Sequence, residues 1–276
     1  MVDVDRFQHE GWLRIPSAVP EDLCERLVEA LVRELNVPLD DPTRWPEYGK
    51  PMRDLIPMWG HQSQWDIRQH PNLQRIYASL WGSEALTVTT DCCRFSPPWR
   101  PGYAEPLDLH WDHLPTADGV RFIQGVIALT DTAADQGGWR SVPSLYRTPD
   151  QWTKETIIDE DGDECWPADT EGHEVIHAAT KAGDLIVWDS HLPHANSKNL
   201  ASEPRLAFYV SMNTAARQED SVREATIESW RTGTCVPWWR DRPGFGRVEP
   251  WPPAQLTTLG RRLLGIDPWP ETPTNE

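Results

Sequence analysis

The sequence predicts a mainly β fold with flanking helices, in which short antiparallel strands form a sandwich or barrel. Three observations carry this. The stretches 85–98 (ALTVTTDCCRFSPP), 119–132 (GVRFIQGVIALTDT), 173–179 (HEVIHAA), 183–190 (GDLIVWDS) and 205–213 (RLAFYVSMN) are rich in β-branched and aromatic residues. Each is bounded by Gly, Pro, Asp or Asn, so turns recur at short intervals, as in sandwiches and barrels. The periodic helical signal is confined to the region before residue 83.

The elements follow in order. In SAVPEDLCERLVEALVREL, Leu23, Leu27, Ala30, Leu31 and Leu35 recur at helical spacing, with Ser17 or a following acidic residue as the expected start. Residues 38–62 are Pro- and Trp-rich and read as loop. NLQRIYASLWG reads as a second, shorter helix stopped by Gly82. The acidic run DEDGDECWPADTEG lacks the spaced ligand pattern of a calcium loop and is expected to be solvated. The C-terminal PWWRDRPGFG and VEPWPPAQL are expected to pack as an irregular arm, because proline removes a backbone donor.

At 276 residues the chain suits one domain. Its expected parts are a helical N-terminal part (1–82), a strand-rich core (83–215) and a Pro/Trp-rich arm (216–276). The 43 acidic and 26 basic residues give a net charge of -17, which argues against a general grip on nucleic acid or anionic lipid. No apolar run approaches the roughly 20 residues that span a bilayer, and the N-terminus lacks the pattern of a secretory signal. A cytoplasmic protein acting on a small molecule is expected, its oligomeric state unreadable. Cys24, Cys92, Cys93, Cys165 and Cys235 form no CxxC pair, so reduced thiols are expected, with adjacent Cys92 and Cys93 facing opposite ways.

The chemistry concentrates in LDLHWDHLP, residues 107–115. On a strand, His110 and Asp112 share a face while Trp111 and His113 take the other. A third ligand must come from elsewhere, and GDLIVWDSHLPHANSKN runs an apolar strand into His191 and His194. Two imidazoles and one carboxylate leave coordination positions open and suit non-haem Fe(II), whereas zinc more often takes four protein ligands or three histidines. Arg205 adds a guanidinium fork, able to hold the far carboxylate of a 2-oxo diacid whose other end chelates the metal.

Taken in order, the segments FQHEGWLRIPSAVPEDLCERL, HWD, VIALTDTAADQGGWRSVPSLYR and GDLIVWDSHLPHANSKNLASEPRLAFYVS resemble the phytanoyl-CoA dioxygenase (PhyH-like) family of Fe(II)- and 2-oxoglutarate-dependent oxygenases. The resemblance covers roughly residues 5 to 215 and implies a double-stranded β-helix, that is, a jelly-roll or cupin-like core. It also implies His110, Asp112 and His194 as iron ligands, Arg205 as the 2-oxoglutarate anchor, and O2 as oxidant with ascorbate in support. Asn196 is the expected second contact to the cosubstrate and Gln124 a further polar contact in the pocket. His113 is expected beside the substrate or behind the ligands, and His191 in a structural or pocket-lining place. Trp99, Trp111 and Trp139 suggest aromatic pocket walls. The chain departs from the family at VPSLYR, where relatives carry a Pro-Gly-Ser-His turn.

The expected reaction is hydroxylation or desaturation of a C–H bond with release of succinate and CO2. With Asp112 present, the position a halide would need is taken, which disfavours halogenation. Two other readings stay open from the residues: a jelly-roll binding protein without turnover, and a zinc hydrolase using His110, His113 and Asp112. The second gives Arg205 and His194 no role.

Overall fold

The structure, a computed structural model, describes residues 2–46, 55–113, 121–146, 156–158, 164–240 and 251–270. In chain order the elements are α1 (Val4–Glu10), β1 (Trp12–Ile15), α2 (Glu21–Leu35), β2 (Leu55–Ile56), α3 (Gln62–Arg68), α4 (Pro71–Trp81), β3 (Leu86–Val88) and β4 (Cys93–Ser96). Then come β5 (His110–Trp111), β6 (Ile123–Ala128), β7 (Trp139–Ser141), β8 (Ile157–Ile158), β9 (Glu164–Pro167), β10 (Ile176–His177), β11 (Leu185–Asp189), β12 (His194–Asn196), β13 (Arg205–Tyr209) and β14 (Met212–Thr214). The C-terminal part adds α5 (Asp220–Thr232), α6 (Pro237–Arg240) and α7 (Thr258–Leu264).

Two six-stranded sheets carry the architecture, in the orders β1-β11-β6-β13-β4-β2 and β10-β7-β12-β5-β9-β8, with antiparallel pairing throughout the described residues. The alternation of side chains along each strand explains the layering. On the first sheet, Leu13, Cys93, Phe95, Ile127, Leu185, Val187, Leu206 and Phe208 face α2, α3 and α4 and make one large core with Leu27, Leu31, Trp65 and Leu73. The opposite face presents Val126, Ile186, Trp188 and Ala207, which meet Trp139 of the second sheet. Behind the second sheet lie Leu109, Trp111, Val142, Leu145 and Ala195. The mainly β jelly roll with flanking helices is therefore present, and a polar interior lies between its sheets.

Of the two expected starts of α2, the acidic one holds: the helix begins at Glu21 with Pro20 as its cap, while Ser17 stands in the left-handed region at φ 48° and its N–H donates to Asp184. Helix α4 ends at Gly82 as expected, with the glycine left-handed at φ 64°. The region read as loop over 38–62 contains β2 and leads directly into the unexpected α3. Strand β9 lies inside the segment read as a solvated acidic loop, where Trp166 and Pro167 pair with Trp111 and His110; residues 159–163 lie outside the described ones.

The C-terminal arm is not irregular throughout. Pro237 opens α6, because a proline at the first helical position gives up an N–H that has no intrahelical partner. Helix α7 buries Leu263 and Leu264 in the main core, and the indoles of Trp230 and Trp269 donate to the carbonyls of Ala254 and Leu86 at 2.9 and 2.8 Å. Residues 241–250 lie outside the described ones. Cys24, Cys92, Cys93 and Cys235 are buried free thiols, and the side chain of Cys165 is not described. Cys92 packs with Trp59 and Cys235 while Cys93 enters the main core, the opposite orientations expected of adjacent residues. No helix among the described residues is long and apolar enough to cross a membrane.

Candidate metal centre

Strands β5 and β12 are neighbours in the second sheet, and their register sets His110 directly opposite His194. The two imidazoles face the first sheet with ring centroids 5.6 Å apart. Asp112 stands one residue beyond the end of β5. Its Oδ1 lies 3.3 Å from His110 Nε2 and its Oδ2 lies 3.5 Å from His194 Nε2. The sequence spacing thus brings the pair 110/112 together, although the strand itself spans only two residues.

The remaining ring nitrogens fix the chemistry. His110 Nδ1 lies 2.6 Å from the carbonyl of Asp108, and His194 Nδ1 lies 3.1 Å from that of Leu192. A carbonyl accepts only, so each Nδ1 carries the hydrogen and each Nε2 offers a lone pair. Two lone pairs and a carboxylate then face one another, acceptor against acceptor, an arrangement that calls for a cation. Burial pushes the Asp112 carboxyl up, but protonated His194 and His110 rings outweigh it and hold the group well below the usual range; a bound cation would take the place of those ring protons.

Among the described residues no group of three His, Cys, Asp or Glu side chains stands already in finished metal-coordination geometry. The spacing of these three is nevertheless close to it: around an octahedral ion with bonds of about 2.1 Å, adjacent donors stand about 3 Å apart. The donor set, two neutral imidazoles and one carboxylate with open positions, fits a ferrous ion.

Gln124 on β6 ties the carboxylate to the facing sheet. Its Nε2 donates to Asp112 Oδ2 at 2.8 Å, while its Oε1 accepts from the Trp188 indole at 3.0 Å. Expected as a polar pocket contact, its amide meets the Asp112 carboxylate. Arg205, only 3% exposed, opens β13 opposite Ser96 of β4. Its guanidinium donates to Asn196 Oδ1 at 3.0 Å, so Asn196, two residues beyond His194, links Arg205 to the strand that carries the imidazole. Arg205 also lines a small cavity with Val126, Ala128, Gly138, Trp139 and Ile186.

Three further residues join this polar interior. Tyr209 lies on the same face of β13 as Arg205 and receives the Asn196 amide at 3.0 Å. Arg94, pairing with Ala207 on β4, donates to Ser96 Oγ at 2.8 Å. Burial pushes the Tyr209 phenol up, but the Arg94 and Arg205 guanidinium groups outweigh it and bring it below its usual value. Trp188 stacks on the His194 ring at 5.0 Å. Sequence reasoning missed Tyr209 and Trp188; the available signal was parity, since Tyr209 is four residues along β13 from Arg205.

Other expected site residues lie elsewhere. Trp111 is fully buried behind the second sheet, so it is not a pocket wall, and its indole donates to the carbonyl of His191 at 2.9 Å. Period-two alternation forces this, because His110 takes the inner face. Trp99 lies under the Lys198 ammonium at 4.1 Å, and Trp139 does line the cavity. His113 is exposed, its ring 5.4 Å from that of Phe122. His191 Nδ1 is 3.4 Å from Asp189 Oδ1, a structural place in the turn that leads to His194. In the VPSLYR segment, Tyr146 reaches the same Asp189 at 3.2 Å.

Two facing antiparallel sheets with two imidazoles, a carboxylate and a buried guanidinium between them define a jelly-roll protein with a polar site between its sheets. The chain belongs to the phytanoyl-CoA dioxygenase (PhyH) family, whose model it matches over residues 7–207. It is 21% identical over 234 residues to the Ava biosynthesis cluster protein O of Aspergillus versicolor, a match covering 75% of this chain and 76% of that one. Among solved structures it is similar to GlcNAc Inducible Gene 2 (DUF1479) of Candida albicans, with TM-score 0.73, 14% identity, and coverage of 99% and 77% of the two chains. It is likewise similar to the epimerase SnoN, solved in complex with Fe3+, alpha ketoglutarate and nogalamycin RO, with TM-score 0.59, 16% identity, and coverage of 92% and 94%.

Proposed function

We propose that the chain is an Fe(II)- and 2-oxoglutarate-dependent oxygenase in which His110, Asp112 and His194 bind iron and Arg205, with Asn196, holds the cosubstrate. The observation that carries this is that the Asp112 carboxylate stands 3.3 Å from His110 Nε2 and 3.5 Å from His194 Nε2. When bound, iron and 2-oxoglutarate use O2 to supply the oxidising power, releasing succinate and CO2.

The protein's own residues supply order and dryness. The Asp108 and Leu192 carbonyls hold both imidazoles in the metal-binding tautomer. Gln124 restrains Asp112 Oδ2, and Trp188 walls the site beside His194. The Arg205 fork, steadied by Asn196, suits a terminal carboxylate. Family membership over most of the chain supports treating residues 1–276 as one domain.

The substrate is a small organic molecule, with hydroxylation or desaturation of a C–H bond as the outcome. A net charge of -17 disfavours a polyanionic CoA ester, and the resemblance to a biosynthesis-cluster protein favours an intermediate of specialised metabolism. One structural neighbour is an epimerase, so the outcome at carbon is set by the pocket rather than by the fold. The test is Fe(II)-dependent release of succinate from 2-oxoglutarate, run beside His110→Ala, Asp112→Ala and His194→Ala. Each substitution is expected to abolish it; full activity in all three ends the assignment.

A further inference from the structure

We propose that Trp188, Trp139 and Trp12 form a one-electron relay that drains oxidising equivalents from the metal centre to the surface when no substrate is oxidised. It rests on the oxygenase reading above. The three indoles form a continuous row of tilted ring contacts, with interplanar angles of 35° and 41°, leading away from a proposed iron ligand. The Trp188 ring lies 5.0 Å from His194 and 5.7 Å from Trp139, and Trp139 lies 5.2 Å from Trp12. Trp12 and Trp188 are also register partners on adjacent strands, which fixes the first and last members relative to one another.

Trp188 and Trp139 are buried at 2% and 3% exposure, whereas Trp12, on the edge strand β1, is partly open to solvent. The stack therefore leads outward. Electron tunnelling falls steeply with distance, so rings in contact pass an electron far faster than the same span of aliphatic side chain. Indole is also among the most easily oxidised side chains, while phenylalanine, which fills similar space, is not.

Packing alone does not account for the choice of indole. Among the described residues, the buried Nε1 groups of Trp12 and Trp139 meet no hydrogen-bond partner, a cost that phenylalanine would avoid. With no base to take that hydrogen, an oxidised indole keeps its proton and can be refilled by an electron rather than decay. Trp188 differs: its N–H is held by Gln124 Oε1 at 3.0 Å. At the exit, Arg6 lies 5.8 Å over the Trp12 ring and is itself paired with Glu10 at 3.0 Å, so its charge is offset.

The electrons balance. O2 brings four oxidising equivalents, and conversion of 2-oxoglutarate to succinate and CO2 uses two. The other two normally go into the substrate C–H bond. Without substrate, two electrons passed singly through Trp188, with two protons from water, discharge the remaining oxygen atom as water. A one-electron reductant of the ascorbate class refills Trp12.

The experiment supplies iron, 2-oxoglutarate and O2 without substrate, with and without ascorbate, and maps indole oxidation by peptide mass spectrometry. Oxygenated Trp12 is expected without ascorbate and is expected to be suppressed by it. Trp12→Phe is expected to keep the initial rate of 2-oxoglutarate consumption, inactivate after severalfold fewer turnovers, and shift oxidation to Trp139 and Trp188. Oxidation confined to Trp188 in the unsubstituted protein, or equal total turnover in Trp12→Phe, overturns the relay; should the variant not fold, the unsubstituted map decides. If no 2-oxoglutarate is consumed, the oxygenase reading fails and the relay with it; consumption without Trp12 oxidation overturns the relay alone.

Discussion

Gln124 holds Asp112 from one side and Trp188 from the other, both at hydrogen-bond distance. Partners that orient a metal ligand typically govern affinity by about 10- to 100-fold. Gln124→Leu is therefore expected to weaken iron binding by about that factor, read by equilibrium titration of the protein with Fe(II) under anaerobic conditions; unchanged affinity would show that Asp112 needs no outside support. Arg205 acts at the other end of the site. A charge-assisted hydrogen bond contributes about 1.5–3 kcal/mol, which corresponds to roughly 10- to 100-fold in binding. Arg205→Lys keeps the charge and loses the fork, so KM for 2-oxoglutarate is expected to rise by that order while kcat changes less. A kcat defect at unchanged KM would place the guanidinium on the substrate instead.

At the scale of the element, strand β11 is positioned by the turn before it. Gly183 adopts φ +83°, and a Cβ there would stand 2.5 Å from the carbonyl of Val19. Asp184 then accepts from Arg14 Nε, the Ser17 N–H and the Lys181 N–H at 2.9, 3.0 and 2.9 Å, gathering β1 and the approach to α2 onto β11. Gly183→Ala is expected to cost about 1–3 kcal/mol from left-handed strain and the close approach. The measurement is Tm, expected to fall by several degrees, with iron affinity retained because the proposed metal ligands lie outside β11. Among the elements that sequence reasoning overlooked, β2, β7 and β12 span two or three residues each and exist because the neighbouring strand supplies their hydrogen bonds. Two or three residues carry no periodicity to read. Helix α2, with five buried apolar positions along 15 residues, was legible for the opposite reason.

Across the whole molecule, the buried carboxylate of Asp189 joins distant parts of the chain. Arg121 donates to it through Nε at 2.8 Å and again through its terminal nitrogen, Tyr146 lies at 3.2 Å, and the His191 N–H donates at 2.9 Å. Burial pushes this carboxyl up, but the hydrogen bonds from His191 and Arg121 and the Arg121 charge outweigh it and leave it below its usual value. A group depressed in the folded state binds its proton more readily in the unfolded chain, so stability increases with pH across that interval. The contribution is present above about pH 4, the unfolded value, and is lost as pH falls through the lower folded value. Asp189→Asn is expected to flatten the acid limb of a stability-against-pH curve measured by denaturant titration. An unchanged acid limb would mean that Arg121, half-exposed, is screened by solvent.

The sequence by itself determined what is local or ordered along the chain. Strand texture gave the mainly β class, parity set His110 apart from Trp111, and motif order pointed to His194 and Arg205 as partners of a pair far upstream. Tertiary structure decided what depends on contacts between segments about eighty residues apart. It set His194 opposite His110, turned Gln124 onto the Asp112 carboxylate, and brought Asn196 and Tyr209 to the guanidinium. It also stacked Trp188, Trp139 and Trp12, which come from three strands in two sheets. The physical reason is range: alternation and turn chemistry act over a few residues, whereas strand pairing and the side chains that meet between two sheets are settled only when the chain has closed on itself.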